Sequence, residues 1–141
     1  MIDATLIPFL PVNQLAIIQE CLEGEEREFF VKKMDEMKAV IQAMPVTYSQ
    51  SELGDEAVAY LHYFMGGMDW YITEKDVEGD GTVRAYGMVD LGYGPECGYI
   101  SIMEIVQSGI YVELDLHWQP KKLSDIKKPV GDTSPRGMES P

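Results

Sequence analysis

Little in this sequence suits a membrane span, a disulfide framework or a nucleic-acid grip. No stretch approaches the roughly 20 apolar residues that a bilayer requires, and the apolar opening from Ile2 to Val12 is broken by Asp3, Pro8 and Pro11. With no basic segment leading into a long apolar run, the expectation is a cytoplasmic protein with no membrane partner. The two cysteines, Cys21 and Cys97, stand far apart and match no C-x-x-C spacing. They suggest neither a disulfide scaffold nor a zinc cluster, and a reducing compartment fits them best. Basic residues are few: 11 Lys and Arg face 24 Asp and Glu, for a net charge of -13. A surface this acidic repels phosphate backbones, so no direct nucleic-acid binding is expected.

The acidity is segregated. Lys121, Lys122, Lys127, Lys128 and Arg136 outnumber Asp125, Asp132 and Glu139, which makes residues 121–141 +2 and leaves -15 on residues 1–120. Solubility alone accounts for such a surplus. A sharper reading is a surface that occupies a basic groove on another protein.

At 141 residues and 45% hydrophobic content the chain can bury one ordinary core without staples. The patterning predicts an α+β fold: N-terminal helices packed with a mainly antiparallel sheet, namely a meander of three strands, a short helix and a further strand, and a disordered C-terminal tail. Residues 1–126 are expected to form one domain, with a helical part over 13–44 and a sheet part over 57–118, followed by a flexible tail over 127–141.

Asn13 is suited to cap a helix carrying Leu15, Ile18 and Leu22 at helical spacing, with Gly24 as its stop. From Glu25 a second helix follows, its stripe Phe30, Met34, Met37, Ile41 and Met44 ended by Pro45. Residues 47–56 read as a loop. Ala57 to Met65, Met68 to Lys75 and Thr82 to Asp90 read as three strands, joined by Gly66-Gly67 and by Glu78-Gly79-Asp80-Gly81. Leu91 to Gly98, with three glycines and a proline, looks too irregular for a strand. Ser101-Ile102-Met103-Glu104 is a capping box opening a helix that Gly109 closes, and Ile110 to Trp118 reads as the last strand, its Val112, Leu114, Leu116 and Trp118 toward the core.

Among chemistry-bearing residues, Asp76, Glu78, Asp80 and Gly81 mimic the start of an EF-hand loop, but the twelfth place is Gly87 where a bidentate glutamate is needed. A polar hairpin turn explains the segment. Glu74, Asp76, Asp90, Glu96, Glu104, Asp115 and His117 fall on strand ends and loops of the second half and could converge on one sheet edge. Convergence would make a divalent metal site conceivable, although no fixed ligand spacing supports one, and neither a metal nor a cofactor is assigned. His62 and His117 are the only histidines. Neither has a nucleophile elbow nearby, Ser101 is better explained as a helix cap, and Gly92-Tyr93-Gly94 extends into no phosphate-binding pattern.

Four blocks carry a family likeness: Asp69-Trp70-Tyr71-Ile72-Thr73-Glu74-Lys75-Asp76, then Ala85-Tyr86-Gly87-Met88-Val89-Asp90-Leu91-Gly92, then Pro95-Glu96-Cys97-Gly98-Tyr99-Ile100-Ser101-Ile102-Met103-Glu104, then Glu113-Leu114-Asp115-Leu116-His117-Trp118. In this order they resemble domain of unknown function 2958, over roughly residues 57 to 126, with the helical segment before residue 45 outside the shared part. The resemblance implies a setting on bacterial plasmids, conjugative elements or phages and no assigned activity. The family pattern has leucine or tryptophan where Cys97 stands, and commonly phenylalanine at Tyr86 and Trp118, which argues against a catalytic thiol.

The leading functional reading is therefore an interaction module, an inhibitor of a host nucleic-acid-handling system, whose partner is a host or element protein with a basic surface. Its candidate surface is Trp70, Glu74, Asp76, Asp90, Tyr93, Glu96, Glu104, Asp115 and His117. A metal-dependent enzyme using sheet-edge carboxylates and a histidine is the first alternative, and a structural or dimerisation module the second.

Overall fold

The structure is a computed structural model and describes residues 2–108 and 111–127. It is an α+β fold, with four α-helices, a five-stranded antiparallel sheet and a separate two-stranded ribbon.

The segment from residue 2 to residue 10 contributes to the core. A 3-10 turn at Ile7–Phe9, with Pro8 in its first turn, drives Leu6, Phe9 and Leu10 inward, and Ile2 is buried with them. This apolar run has no helical or strand period, so its burial comes from tertiary packing alone. Helix α1 (Val12–Cys21) begins one residue before the expected cap Asn13, because Pro11 occupies the N-cap position and has no N–H to satisfy. Helix α2 (Arg27–Ala43) buries Met34, Met37 and Ile41 on the predicted stripe, with Met44 buried at its C-cap and Pro45 immediately after.

The expected strand from Ala57 to Met65 is broken at Tyr60 into β1 (Val58–Ala59) and β2 (Leu61–Met65). Strand β3 (Met68–Glu74) follows β2 across the Gly66-Gly67 turn, where Gly66 takes a positive φ of 57°. Strand β4 (Ala85–Asp90) starts three residues later than expected. Gly87 permits a close backbone approach: a Cβ there would lie 1.9 Å from the Tyr71 carbonyl oxygen.

Beyond β4 the sequence reading is corrected. Pro95–Ile100 forms a full strand, β5, because Gly92 and Gly94 absorb the turn at positive φ and β5 is an edge strand, where a proline leaves no ladder bond unmade. Ser101 caps helix α3 (Ile102–Gln107) by accepting the Glu104 N–H, as the capping box requires. The expected closing residue Gly109 lies outside the described residues. The last expected strand shrinks to β6 (Glu113–Leu114), since at Asp115 the chain turns, its N–H donating to the His62 carbonyl and the Trp118 N–H to the Asp115 carbonyl. Strand β7 (Lys121–Lys122) then pairs with β1, and α4 (Leu123–Lys127) ends the described chain, so Lys127 is helical where a tail was expected and residues 128–141 lie outside the description.

The sheet order β5-β4-β3-β2-β6 gives two faces. One carries Leu61, Tyr63, Ile72 and Leu114 into the main core with α1, α2, α3 and the N-terminal segment, where the Tyr63 hydroxyl donates to the Phe9 carbonyl. The other carries His62, Phe64, Asp69, Tyr71 and Met88. It is only partly covered, by a small cluster of Ala57, Ala59, Met88 and Leu123 with Tyr71, Trp118 and Ile126 packed against it.

Candidate interaction site

The register of the β2–β3 hairpin builds this second face. A two-residue turn fixes Met65 opposite Met68, hence Phe64 opposite Asp69 and His62 opposite Tyr71. Directly opposed residues share a face, so these four side chains stand together. Strand β4 adds Asp90 opposite Asp69 and Met88 opposite Tyr71.

At the centre is the His62 imidazole, its side chain 13% exposed. Its Nε2 lies 2.7 Å from Asp69 Oδ1 and its Nδ1 lies 3.1 Å from Asp115 Oδ2. A ring protonated on both nitrogens donates to both carboxylates, whereas a neutral ring has one N–H to give. The ring stacks on Tyr71 at 4.7 Å and 7°, stacks on Phe64 at 5.5 Å and is tilted against Trp118 at 5.0 Å. Trp118 is held by its indole N–H, which donates to the Ala59 carbonyl, and its ring carries the Lys121 ammonium 4.4 Å from the centroid. Burial, then the nearby Asp69 and Asp90 charges, push the Tyr71 hydroxyl up to about 12. Two aspartates opposed across a ladder repel, and His62 is the hydrogen-bonded counterweight on the Asp69 side.

This face unites Asp90 and Asp115 from the expected surface, and the rest of that surface disperses. Trp70 points into the opposite side, packing on the main core and lining an apolar groove with Met65, Val89 and Ile105. Glu74 is buried, 3% exposed, and its carboxylate accepts the Tyr48 and Gln50 N–H groups, with Tyr48 at a positive φ of 77°. It anchors the loop before β1, with Gln50 bridging to Val58 and Thr73. Asp76 accepts the Glu78 and Arg84 N–H groups, which makes the EF-hand-like segment a self-satisfied polar turn. Tyr93 is 96% exposed between β4 and β5, Glu96 is exposed on β5, and Glu104 is exposed in the first turn of α3. His117 is exposed and donates its backbone N–H to Asp115, so the histidine built into a carboxylate cluster is His62 instead.

Among the described residues no group of three or more His, Cys, Asp or Glu side chains is placed to hold a metal ion. Both His62 nitrogens face carboxylates, leaving neither to activate a hydroxyl or thiol. Cys97 is exposed on β5 opposite Met88, and Ser101 is the α3 cap. His62, Asp69, Tyr71, Phe64 and Trp118 lie outside the candidate surface expected from the sequence, yet the Gly66-Gly67 turn carries the signal. Counting outward from it pairs His62 with Tyr71 and Phe64 with Asp69.

A family model described as "Protein of unknown function (DUF2958)" matches residues 30–127. The chain belongs to this family. The DUF2958 match starts inside α2, which corrects the expectation that the helical segment before residue 45 lies outside the shared part. It includes every residue of the His62 cluster. No curated protein and no solved structure matches the chain. Among the described residues no helix is long and apolar enough to cross a membrane.

Proposed function

We propose that this DUF2958 protein is an acidic protein-interaction module that docks a basic partner on the outer face of its sheet. The observation that carries the reading is the pair Asp69 and Asp115 on one imidazole, with Asp90 opposite Asp69 on the same face and Tyr71, Phe64 and Trp118 flanking the ring. Carboxylates beside aromatic faces attract ammonium and guanidinium groups through charge and ring quadrupole together, and within the chain Lys121 already lies over Trp118. The chain as a whole has the same sign, with a net charge of -13, although the acids of the helical part lie on the other side of the sheet. Glu20, Glu23, Glu25 and Glu28 are exposed around the α1–α2 turn, whereas Lys33, Lys38, Lys122 and Lys127 are each engaged by a carboxylate. In its finer form the reading makes the partner a host nucleic-acid-handling protein, whose phosphate-binding groove offers the complementary charge, and makes this chain its inhibitor.

The test is capture from host lysate at low and high salt, read by mass spectrometry, with wild-type protein and an Asp90→Asn/Glu113→Gln variant, Glu113 standing opposite Phe64 on the same face. A basic protein retained at low salt, released at high salt and depleted with the variant is the expected result. Retention that ignores both salt and the substitutions would refute the reading.

A further inference from the structure

We infer that residues 119–127 are an intramolecular stand-in for the partner: a basic strap seated where an extended basic segment of another protein binds. The inference rests on the docking reading above and extends it along the ribbon edge.

The strap is held by few backbone bonds. Strand β7 meets β1 over two residue pairs, Val58 with Lys122 and Ala59 with Lys121, and the Leu123 N–H donates to the Ala57 carbonyl at 2.9 Å. Several of the side-chain contacts that fix it have the form of ligand recognition. Lys121 lies over the Trp118 ring, Lys122 Nζ is 2.8 Å from Glu56 and Lys127 Nζ is 2.8 Å from Asp55. The carboxylate bonds hold both ammonium groups more firmly protonated than usual. Between these cations Leu123, 3% exposed, fills an apolar socket of Ala57, Ala59 and Met88. Behind it a cavity of about 350 Å³ continues past Thr73, Glu74, Tyr86 and Cys97.

The surface therefore reads two consecutive cations, then an aliphatic side chain, then a further cation one helical turn on. A partner segment of that composition can add to β1 as an antiparallel strand, with main-chain bonds giving affinity and the socket giving selectivity. It cannot do so while the strap is seated, so partner binding and strap docking exclude each other. The strap's ion pairs are solvent-exposed, with side chains 53% and 60% exposed for Lys122 and Glu56, and such pairs weaken as salt screens them.

The probe is a fluorescent synthetic peptide of residues 119–127 itself, titrated against the full chain by anisotropy. Wild type is expected to bind it weakly, because the tethered copy competes at high effective concentration. The variant Lys122→Ala/Lys127→Ala, which frees Glu56 and Asp55, is expected to bind about fivefold more tightly. Hydrogen exchange on wild type supplies a measurement that needs no variant: saturating peptide should accelerate exchange at the Leu123 amide. Equal affinity for both proteins, or a Leu123 amide unmoved by bound peptide, overturns the strap. Should the peptide fail while a basic protein is still captured in a salt- and Asp90-dependent way, the strap falls and the docking face stands.

Discussion

Replacing His62 with phenylalanine isolates the role of its two nitrogens. The ring, its stacking on Tyr71 and its strand preference are kept, and the hydrogen bonding of its two nitrogens with Asp69 and Asp115 is removed. Hydrogen bonds to charged groups are worth about 1.5–3 kcal/mol each when buried. Asp69 and Asp115 keep 30% and 27% side-chain exposure and can recover water, which places each bond at or just below the low end, about 1–1.5 kcal/mol. The combined loss is then about 2–3 kcal/mol, a large part of a stability of about 5–15 kcal/mol. With a slope of about 1.5–2 kcal/mol per molar urea, the midpoint should fall by about 1–2 M.

The loss of His62 also leaves Asp69 facing Asp90 without a counterweight. Asp90→Asn should therefore return about 0.5–1 kcal/mol in the His62→Phe background and less in the wild type, although no hydrogen bond joins Asp90 to the ring. Equilibrium urea unfolding of the four proteins at low ionic strength measures that coupling. If the two substitutions add within about 0.3 kcal/mol, the like-charge argument is wrong.

Gly87→Ala and its cross-strand neighbour Gly98→Ala should behave oppositely. A Cβ at residue 87 meets the Tyr71 backbone at 1.9 Å, and one at residue 98 meets nothing within 4 Å. The first should cost at least about 3 kcal/mol and the second less than about 0.5 kcal/mol in the same unfolding assay. The Tyr71 hydroxyl, raised to about 12 by burial and by Asp69 and Asp90, disfavours tyrosinate in the folded state. Its contribution is complete below the ordinary tyrosine value of 10.0 and is lost as pH rises from there through about 12. Ultraviolet titration of an Asp69→Asn/Asp90→Asn variant should show Tyr71 ionising earlier. Glu74→Gln leaves one of two backbone N–H groups facing an amide N–H₂, which should destabilise by about 1–3 kcal/mol without altering partner capture, since Glu74 holds the loop from inside.

What could be read from the sequence was whatever local chemistry dictates. The Gly66-Gly67 turn, the Ser101 cap with Glu104 at its third helical position, and the methionine stripe of α2 each follow from backbone conformation or period. What could not be read depended on remote partners. Pro95 is tolerable only because β5 is an edge, and edges are properties of the whole sheet. Tyr60 breaks a segment of uniform strand propensity, its N–H still donating to the Ile72 carbonyl between two strands that pair with different partners. Glu74 and His117 were singled out because acids and histidines carry chemistry, yet burial beside two orphan N–H groups turned the first into a loop anchor. Residue type alone does not separate His62 from His117; the place of His62 opposite Tyr71 follows from the turn that sets the hairpin register.

The threading of the amino-terminal segment sets the smallest piece of this protein able to stand alone. A fragment trimmed to the family boundaries at residues 30 and 127 would discard Leu6, Phe9, Leu10 and Ile18, all nearly inaccessible in the whole chain, and strip the acceptor from the Tyr63 hydroxyl in the middle of the sheet. Such a fragment would show solvent the very surface its strands evolved to hide, and would meet the aggregation that follows. Recombinant work on this chain should keep its first ten residues, and a fusion partner belongs at the opposite terminus.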